Sequence, residues 1–285
     1  MSFDDFDLST APPLPTGLRG IDLLAPVIRG SELLISGEPR SGVRLLGNEI
    51  AHRFVVRRSC DVRIVVLLDP QLAEVQGVPE ELREALPTTE AIYVRERIES
   101  SDIESIRRSS IESGGCVAFG FTNDERCARG FLDTIAACRA ASDSSVPLTA
   151  ILVGELPETL ARDGLVWCSR TMASRGVFPA VDPLRSRCSS AASRSSAQRC
   201  TAERLIAATR ALPTDGSAPS PSLVPALQAV MYLSQGLYVG EPYTGLPGSL
   251  APLDRSLTDF ETILDGRLAT IDPSRFRFRA ELPTE

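Results

Sequence analysis

Two glycines, Gly37 and Gly42, lie between an apolar run of strand length and a helix-periodic segment. Strand, glycine-rich turn and helix is the order of a phosphate-binding loop, in which backbone N–H groups surround phosphate oxygens. The spacing of the two glycines matches G-x-x-x-x-G-K-[ST]. The sequence therefore predicts the backbone of such a loop over 37–44.

The side chains of this loop do not match the motif. A working loop uses lysine to reach the β- and γ-phosphates and serine or threonine to hold Mg²⁺, but these positions are Val43 and Arg44. Valine carries no charge and arginine does not ligate Mg²⁺. All 30 Lys+Arg residues are arginine, so no lysine can reach the loop from another segment. We expect no catalytic residue and no metal ligand here.

Two interpretations of the loop remain open. Arg40 and Arg44, near the start of the predicted helix, could form an anion site of a different kind. Alternatively, the segment is a vestigial strand–turn–helix that is retained for packing.

The rest of the chain alternates strand-length and helix-length patterns, which predicts a mostly parallel sheet covered by helices. Five apolar runs are predicted strands: 32–36, 63–68, 91–94, 116–121 and 148–153. Helices are predicted near 43–57, 79–86, 101–113, 125–142 and 201–212. Short helices are expected after Leu223.

Changes in composition predict the domain boundaries. Residues 1–14 are acidic and then proline-rich, which is typical of a mobile leader. An α/β domain is expected over 15–190, a Ser/Arg-rich linker over 191–198 and a helical domain over 199–285.

Composition excludes several classes of function. The net charge is −7 and no dense basic patch is present, which argues against nucleic-acid binding. The chain has no apolar stretch of about 18 residues and begins with an acidic segment, so we expect no membrane insertion and a cytoplasmic location. Seven cysteines without a C-x-x-C pair indicate neither a disulfide framework nor a zinc site. His52 is the single histidine, which excludes His-based triads and His metal clusters.

Three segments carry a family resemblance. They are TGLRGIDLLAPVIRG (16–30), SRTMASRGVFPAVDPL (169–184) and the block YLSQGLYVGEPYTGLPG with its following helix (232–276). In this order they resemble the catalytic beta subunit of the rotary ATP synthases. The resemblance implies a P-loop NTPase-like (RecA-like) α/β fold with a small C-terminal helical domain. The family's N-terminal β-barrel has no counterpart in this sequence.

The resemblance also shows which acidic positions differ. The family's catalytic Glu falls on Pro70, with Asp69 one residue earlier as an alternative base. The Walker B Asp falls on Thr122, or on Gly154 if 150–155 is the matching strand. Neither register restores a carboxylate at that position.

Two aromatic positions persist. Phe178 and Tyr243 align with two aromatic residues of the family, one that stacks on the adenine base and one that lines the same pocket. Stacking requires only a π-face, so adenine binding is one interpretation, and hydrophobic contact between the two domains is the other.

Together, these residues predict an ATP synthase beta-like protein that is catalytically inactive. Its expected role is structural or regulatory, in a rotary-ATPase-like assembly with ATP synthase-like subunits as partners. The alternatives are a weak ATPase that uses arginine in place of lysine and a decaying duplicate. No cofactor is firmly implied, although weak binding of ATP or ADP without Mg²⁺ is an open hypothesis. The vestigial nucleotide site comprises Gly37, Arg40, Gly42, Arg44, Phe178 and Tyr243.

Overall fold

A computed structural model describes residues 11–56, 63–68, 91–94, 115–141, 147–189, 193–213 and 219–284. Its strands are β1 Pro13–Leu14, β2 Val27–Ile28, β3 Glu32–Gly37, β4 Arg63–Leu68, β5 Ala91–Val94, β6 Cys116–Phe121, β7 Leu148–Val153, β8 Gly164–Cys168 and β9 Arg187–Cys188. Its helices are α1 Arg19–Leu24, α2 Val43–Val56, α3 Glu125–Ala141, α4 Arg170–Ser174, α5 Ser196–Ala211, α6 Val224–Tyr232, α7 Glu241–Thr244 and α8 Leu253–Leu264.

Seven strands form one sheet in the order β5-β4-β6-β7-β3-β8-β9. All neighbouring pairs from β5 to β8 are parallel, and only the two-residue β9 runs antiparallel, beside β8. The mostly parallel sheet with helices is compatible with an α/β NTPase-like fold. The five predicted strands are confirmed as β3 to β7, and the sequence analysis missed β8 and β9.

The helix predictions near 43–57, 125–142 and 201–212 are confirmed as α2, α3 and α5. Those near 79–86 and 101–113 lie outside the described residues. The end of the predicted leader differs from expectation. Leu14 is buried, and Pro13–Leu14 pairs antiparallel with Val27–Ile28, so these last two residues of the predicted leader belong to a small sheet.

The strands β3, β6, β7 and β8 are buried on both faces, as their uninterrupted apolar runs require. Leu33 and Ile35 of β3 belong to one core cluster, whereas Leu34 belongs to a second, so alternate residues face opposite sides. The second cluster is closed by α3. The first is closed by α2 and the C-terminal helices, which contribute Leu46, Ile50, Leu205, Val230 and Phe260. The helices after the predicted linker thus share a core with the sheet, and the boundary at 191–198 stays a prediction.

Asp22 fixes the turn that leads into α1. Its carboxylate accepts hydrogen bonds from the backbone N–H of Thr16 at 3.0 Å and of Gly17 at 2.8 Å, and from the Thr16 hydroxyl at 2.7 Å. Burial raises the pKa of Asp22 to about 6 against the opposing effect of these donors. The Thr-Gly-x-x-x-x-Asp pattern of this segment is therefore a closed local network.

Arg19 is a buried arginine at the start of α1. It is 1% exposed and donates to the carbonyl oxygens of Tyr232 at 2.6 Å and Arg279 at 2.8 Å. Its guanidinium carbon lies 3.9 Å from the centroid of the Tyr232 ring. Burial lowers the pKa of Arg19 from its usual value. The contacts join the first family-like segment to the third.

Arg53 is a second buried arginine, near the end of α2. Neither its side chain nor that of Glu49 is exposed, and Nε of Arg53 lies 2.6 Å from the Glu49 carboxylate. Arg53 also donates to the carbonyls of Gly17 at 3.0 Å and Ser249 at 2.9 Å, while Glu49 accepts from the N–H of Val239 at 2.9 Å. The pair therefore attaches α2 to both the first and the third segment.

Gln235 brings all three segments to one place. Its backbone N–H donates to the carbonyl of Phe178 at 2.8 Å, and its amide nitrogen donates to the carbonyls of Gly17 at 2.7 Å and Ser249 at 2.6 Å. Its amide oxygen accepts from the N–H of Arg19 at 3.1 Å. The three stretches that carry the resemblance are thus joined by hydrogen bonds of one residue, Gln235.

The chain offers two Glu–Arg pairs with the same helical spacing and different burial. Arg53→Met should lower the free energy of unfolding by about 3–5 kcal/mol, because it leaves the Glu49 charge buried and unpaired. Arg129→Met removes the partner of Glu125, whose pair is 60% and 50% exposed, and should cost less than about 1 kcal/mol. Urea denaturation of both variants measures the difference, and equal losses would contradict this account of Arg53.

Candidate functional site

A pocket of about 190 Å³ lies at the carboxyl ends of β3, β6 and β7, beside the first turn of α2. After β3 the next strand of the sheet, β4, lies towards one edge, whereas after β7 the next strand, β8, lies towards the opposite edge. Crevices at such switch points are the usual ligand sites of open α/β sheets. The pocket is lined by Arg40, Gly42, Val43, Arg44, Leu45, Phe121, Asn123, Val153, Gly154 and Glu155.

The loop between β3 and α2 contains two residues with left-handed backbone, Arg40 at φ 65° and Gly42 at φ 87°. Arg40 lies within a tight turn over 38–41, in which the N–H and the hydroxyl of Ser41 both donate to the Glu38 carbonyl, at 3.1 and 2.6 Å. Pro39 has no N–H, so the loop has one backbone donor fewer than most sequences would give it. The turn nevertheless delivers the chain to the start of α2 beside the pocket.

The two loop glycines are needed for different reasons. A Cβ on Gly37 would lie 2.2 Å from the carbonyl oxygen of Cys168, because β3 and β8 approach closely there and Glu38 N–H donates to that oxygen at 2.9 Å. A Cβ on Gly42 would meet open space, so only its positive φ favours glycine. Gly42 lines the pocket, whereas Gly37, the last residue of β3, is not among the residues that line it.

The two positions that carry the motif's lysine and its metal-binding hydroxyl hold Val43 and Arg44 in this chain. Val43, at the lysine position, is 5% exposed and packs into the core. Arg44 lines the pocket half-buried, and burial lowers its pKa from the usual arginine value. Arg40 lines the same pocket and is exposed. The structure therefore brings together Arg40, Gly42 and Arg44, as the sequence analysis expected of a single site.

The strand ends opposite the loop present amide and hydroxyl groups. Thr122 is buried, and its hydroxyl accepts from the N–H of Asp124 at 3.0 Å. Asn123 Oδ1 accepts from the N–H of Glu155 at 2.9 Å. Gly154 lies so close to Thr122 that a Cβ would stand 1.7 Å from the Thr122 carbonyl oxygen. Both candidate Walker B positions thus lie side by side, directly after β6 and β7, and neither carries a carboxylate.

Two acidic side chains, Glu155 and Glu38, lie near the loop. Glu155 lines the pocket and was not singled out from the sequence, although its position directly after a strand-ending glycine was the available signal. Glu38 instead accepts from the N–H of Arg170 at 2.5 Å and lies 3.9 Å from Nε of Arg170, at the start of α4. Asp69 and Pro70 lie outside the described residues.

The two predicted base-binding aromatics do not line this pocket. Phe178 is 44% exposed and Tyr243 is 80% exposed. This exposure is contrary to the alternative in which both side chains fill a hydrophobic contact between domains. The Phe178 carbonyl accepts from the N–H of Gln235, and Tyr243 lies on α7, which has no buried residue. Their role in stacking stays a prediction.

Within the described ranges, no three His, Cys, Asp or Glu side chains come together as a group that could hold a metal ion. Over the same part of the chain, no helix has the length and apolarity that crossing a membrane requires.

Comparison with known proteins finds a relative that covers most of the chain. The ATP synthase subunit beta of Coprothermobacter proteolyticus is 23% identical over an alignment of 324 positions that covers 92% of this chain and 70% of that protein. No family model matches the chain. The identity is low and the coverage is high, which indicates a distant relation to the beta subunits and an ATPase-related ancestry.

The two loop glycines provide a matched pair of variants. Gly37→Ala should lower the free energy of unfolding by about 3 kcal/mol or more, since its methyl group overlaps the Cys168 carbonyl and must separate β3 from β8. Gly42→Ala should cost only about 1 kcal/mol, the strain of a left-handed residue in open space. Thermal and urea unfolding test the ranking, and a larger loss in Gly42→Ala would refute the close approach at Gly37.

Proposed function

We propose that this protein is a non-hydrolysing, structural or regulatory subunit of a rotary-ATPase-like assembly. The observation that carries the proposal is the buried Val43 at the lysine position of the loop, followed by Arg44 at the position that would hold Mg²⁺. Phosphoryl transfer depends on positive charge placed on the transferred group. A buried isopropyl group supplies none.

The strand ends support the same proposal independently. Thr122 and Gly154 occupy the two candidate Walker B positions, so neither register provides the carboxylate that organises the metal's water shell. A guanidinium group has donors only, and Arg44 therefore repels a cation instead of coordinating it. Loss of each element alone would cost several kcal/mol of transition-state stabilisation, on the order of 10²–10³ in rate.

The family-like surface supports a role in protein contact. The segments 169–184 and 232–276 are packed together through Gln235, and they leave Phe178, Leu184, Tyr243 and Leu250 exposed. Contiguous exposed apolar patches mark protein interfaces, and we propose that these side chains contribute to one. We propose ATP synthase-like subunits in the cytoplasm as the partners, with no nucleic acid.

A second candidate function is favoured by one observation, the position of Arg40 and Arg44 on the same pocket. Guanidinium groups bind phosphate oxygens well, so the chain could bind ATP or ADP weakly without Mg²⁺, or hydrolyse ATP slowly with arginine in place of lysine. Under this alternative Phe178 and Tyr243 would contact the adenine base of the nucleotide.

Phosphate release separates the two candidates. We expect no Mg²⁺-dependent release of phosphate from ATP above the uncatalysed background at high protein concentration, and no change in Arg44→Ala. The missing lysine and metal ligand are the physical reason. Turnover that requires Mg²⁺ and disappears in Arg44→Ala would replace the proposal with the arginine-based ATPase.

Complex formation tests the structural role. Purified alpha-type and beta-type ATP synthase subunits from the same organism should form a complex with this protein, detected by sedimentation velocity. Tyr243→Ser should weaken that complex at least tenfold without lowering the melting temperature, because the ring is 80% exposed. Arg210→Ser, on an exposed position of α5, is the matched control and should change neither quantity. A protein that stays monomeric in the presence of both subunits would contradict the role.

A further inference from the structure

The pocket beside the loop combines two guanidinium groups with an apolar wall. Arg40 and Arg44 line it on the loop side, and its apolar lining comes from Leu45, Phe121 and Val153. The lining also includes one carboxylate, that of Glu155. Two positive charges and one negative charge leave a formal charge of +1, which favours an anionic ligand.

The size of the pocket limits that ligand. Its volume of about 190 Å³ is below the roughly 300–1,000 Å³ of sites that enclose drug-sized molecules. One charged head group with a small apolar body fits this space. Neither candidate Walker B position offers a carboxylate to hold the Mg²⁺ that accompanies a nucleoside triphosphate.

The donors favour a phosphate head over a carboxylate. Guanidinium groups match the oxygens of both carboxylates and phosphates, and their attraction to the ligand grows with its negative charge. A phosphate monoester presents three terminal oxygens and a higher charge. Its organic substituent would lie against the Phe121 and Val153 side of the pocket, where apolar area is removed from water.

We propose that this pocket binds a small phosphate monoester with an apolar substituent, without Mg²⁺. Arg40 and Arg44 bind the phosphate, Leu45 and Phe121 contact the substituent, and Glu155 limits the affinity by repulsion. The inference rests on the proposed loss of hydrolysis, because a metal-free single-phosphate site replaces the triphosphate site.

Isothermal titration calorimetry of the full chain at low salt with EDTA tests the proposal, with phenyl phosphate as the probe. Phenyl phosphate should bind about tenfold more tightly than inorganic phosphate, owing to the apolar contact, and benzoate should bind at least tenfold more weakly than phenyl phosphate. Arg44→Gln and Arg40→Gln should each weaken binding about tenfold or more. Arg210→Gln is the control and should leave binding unchanged.

Glu155→Gln provides a variant that should gain affinity. Removing the one carboxylate of the lining should tighten phenyl phosphate binding about threefold at low salt, an effect that partial unfolding cannot produce. No saturable binding of phenyl phosphate, binding that requires Mg²⁺, equal affinity in Arg44→Gln, or benzoate binding as tightly would each overturn the proposal. Phosphate release from ATP is measured separately, so failure of the proposed function remains distinguishable from failure of this inference.

Discussion

The burial of two arginine side chains is the constraint on which the arrangement of the segments depends. A guanidinium removed from water is costly unless its donors find acceptors, and carbonyl oxygens surround Arg19 and Arg53, with Nε of Arg19 the one donor of these two groups that has no acceptor among the described residues. Those oxygens come from residues far apart in sequence, including Gly17, Tyr232, Ser249 and Arg279. Because Arg53 lies on the helix that begins at the loop, the same interactions fix the direction in which the loop is presented to the pocket.

The central sheet could be predicted from sequence because its strands are uninterrupted apolar runs with helices between them. β8 was missed because Gly164–Cys168 follows directly after a segment rich in turn residues. Its place beside β3 is a consequence of pairing, which a single run of residues does not reveal. The close approach at Gly37 depends on that strand, so the sequence could identify the glycine but not the reason for it.

The candidate site was predictable in part. The glycine spacing led to Arg40, Gly42 and Arg44, because residues of one loop necessarily lie near each other. Glu155 was not predicted, since it reaches the pocket only through the parallel arrangement of β6 and β7. The family resemblance gave Phe178 and Tyr243 a possible role, but their exposure is a property of the folded surface that sequence patterns do not encode.

The short antiparallel strand β9 limits how the sheet can associate with other chains. A long exposed edge strand offers a row of unpaired backbone groups on which a second molecule can add a strand and begin aggregation. On the β8 side, that row ends at a two-residue strand whose Arg187 forms an ion pair with Glu158 at 3.1 Å. A protein with such an edge can therefore remain dispersed at high concentration even when no other subunit covers that side.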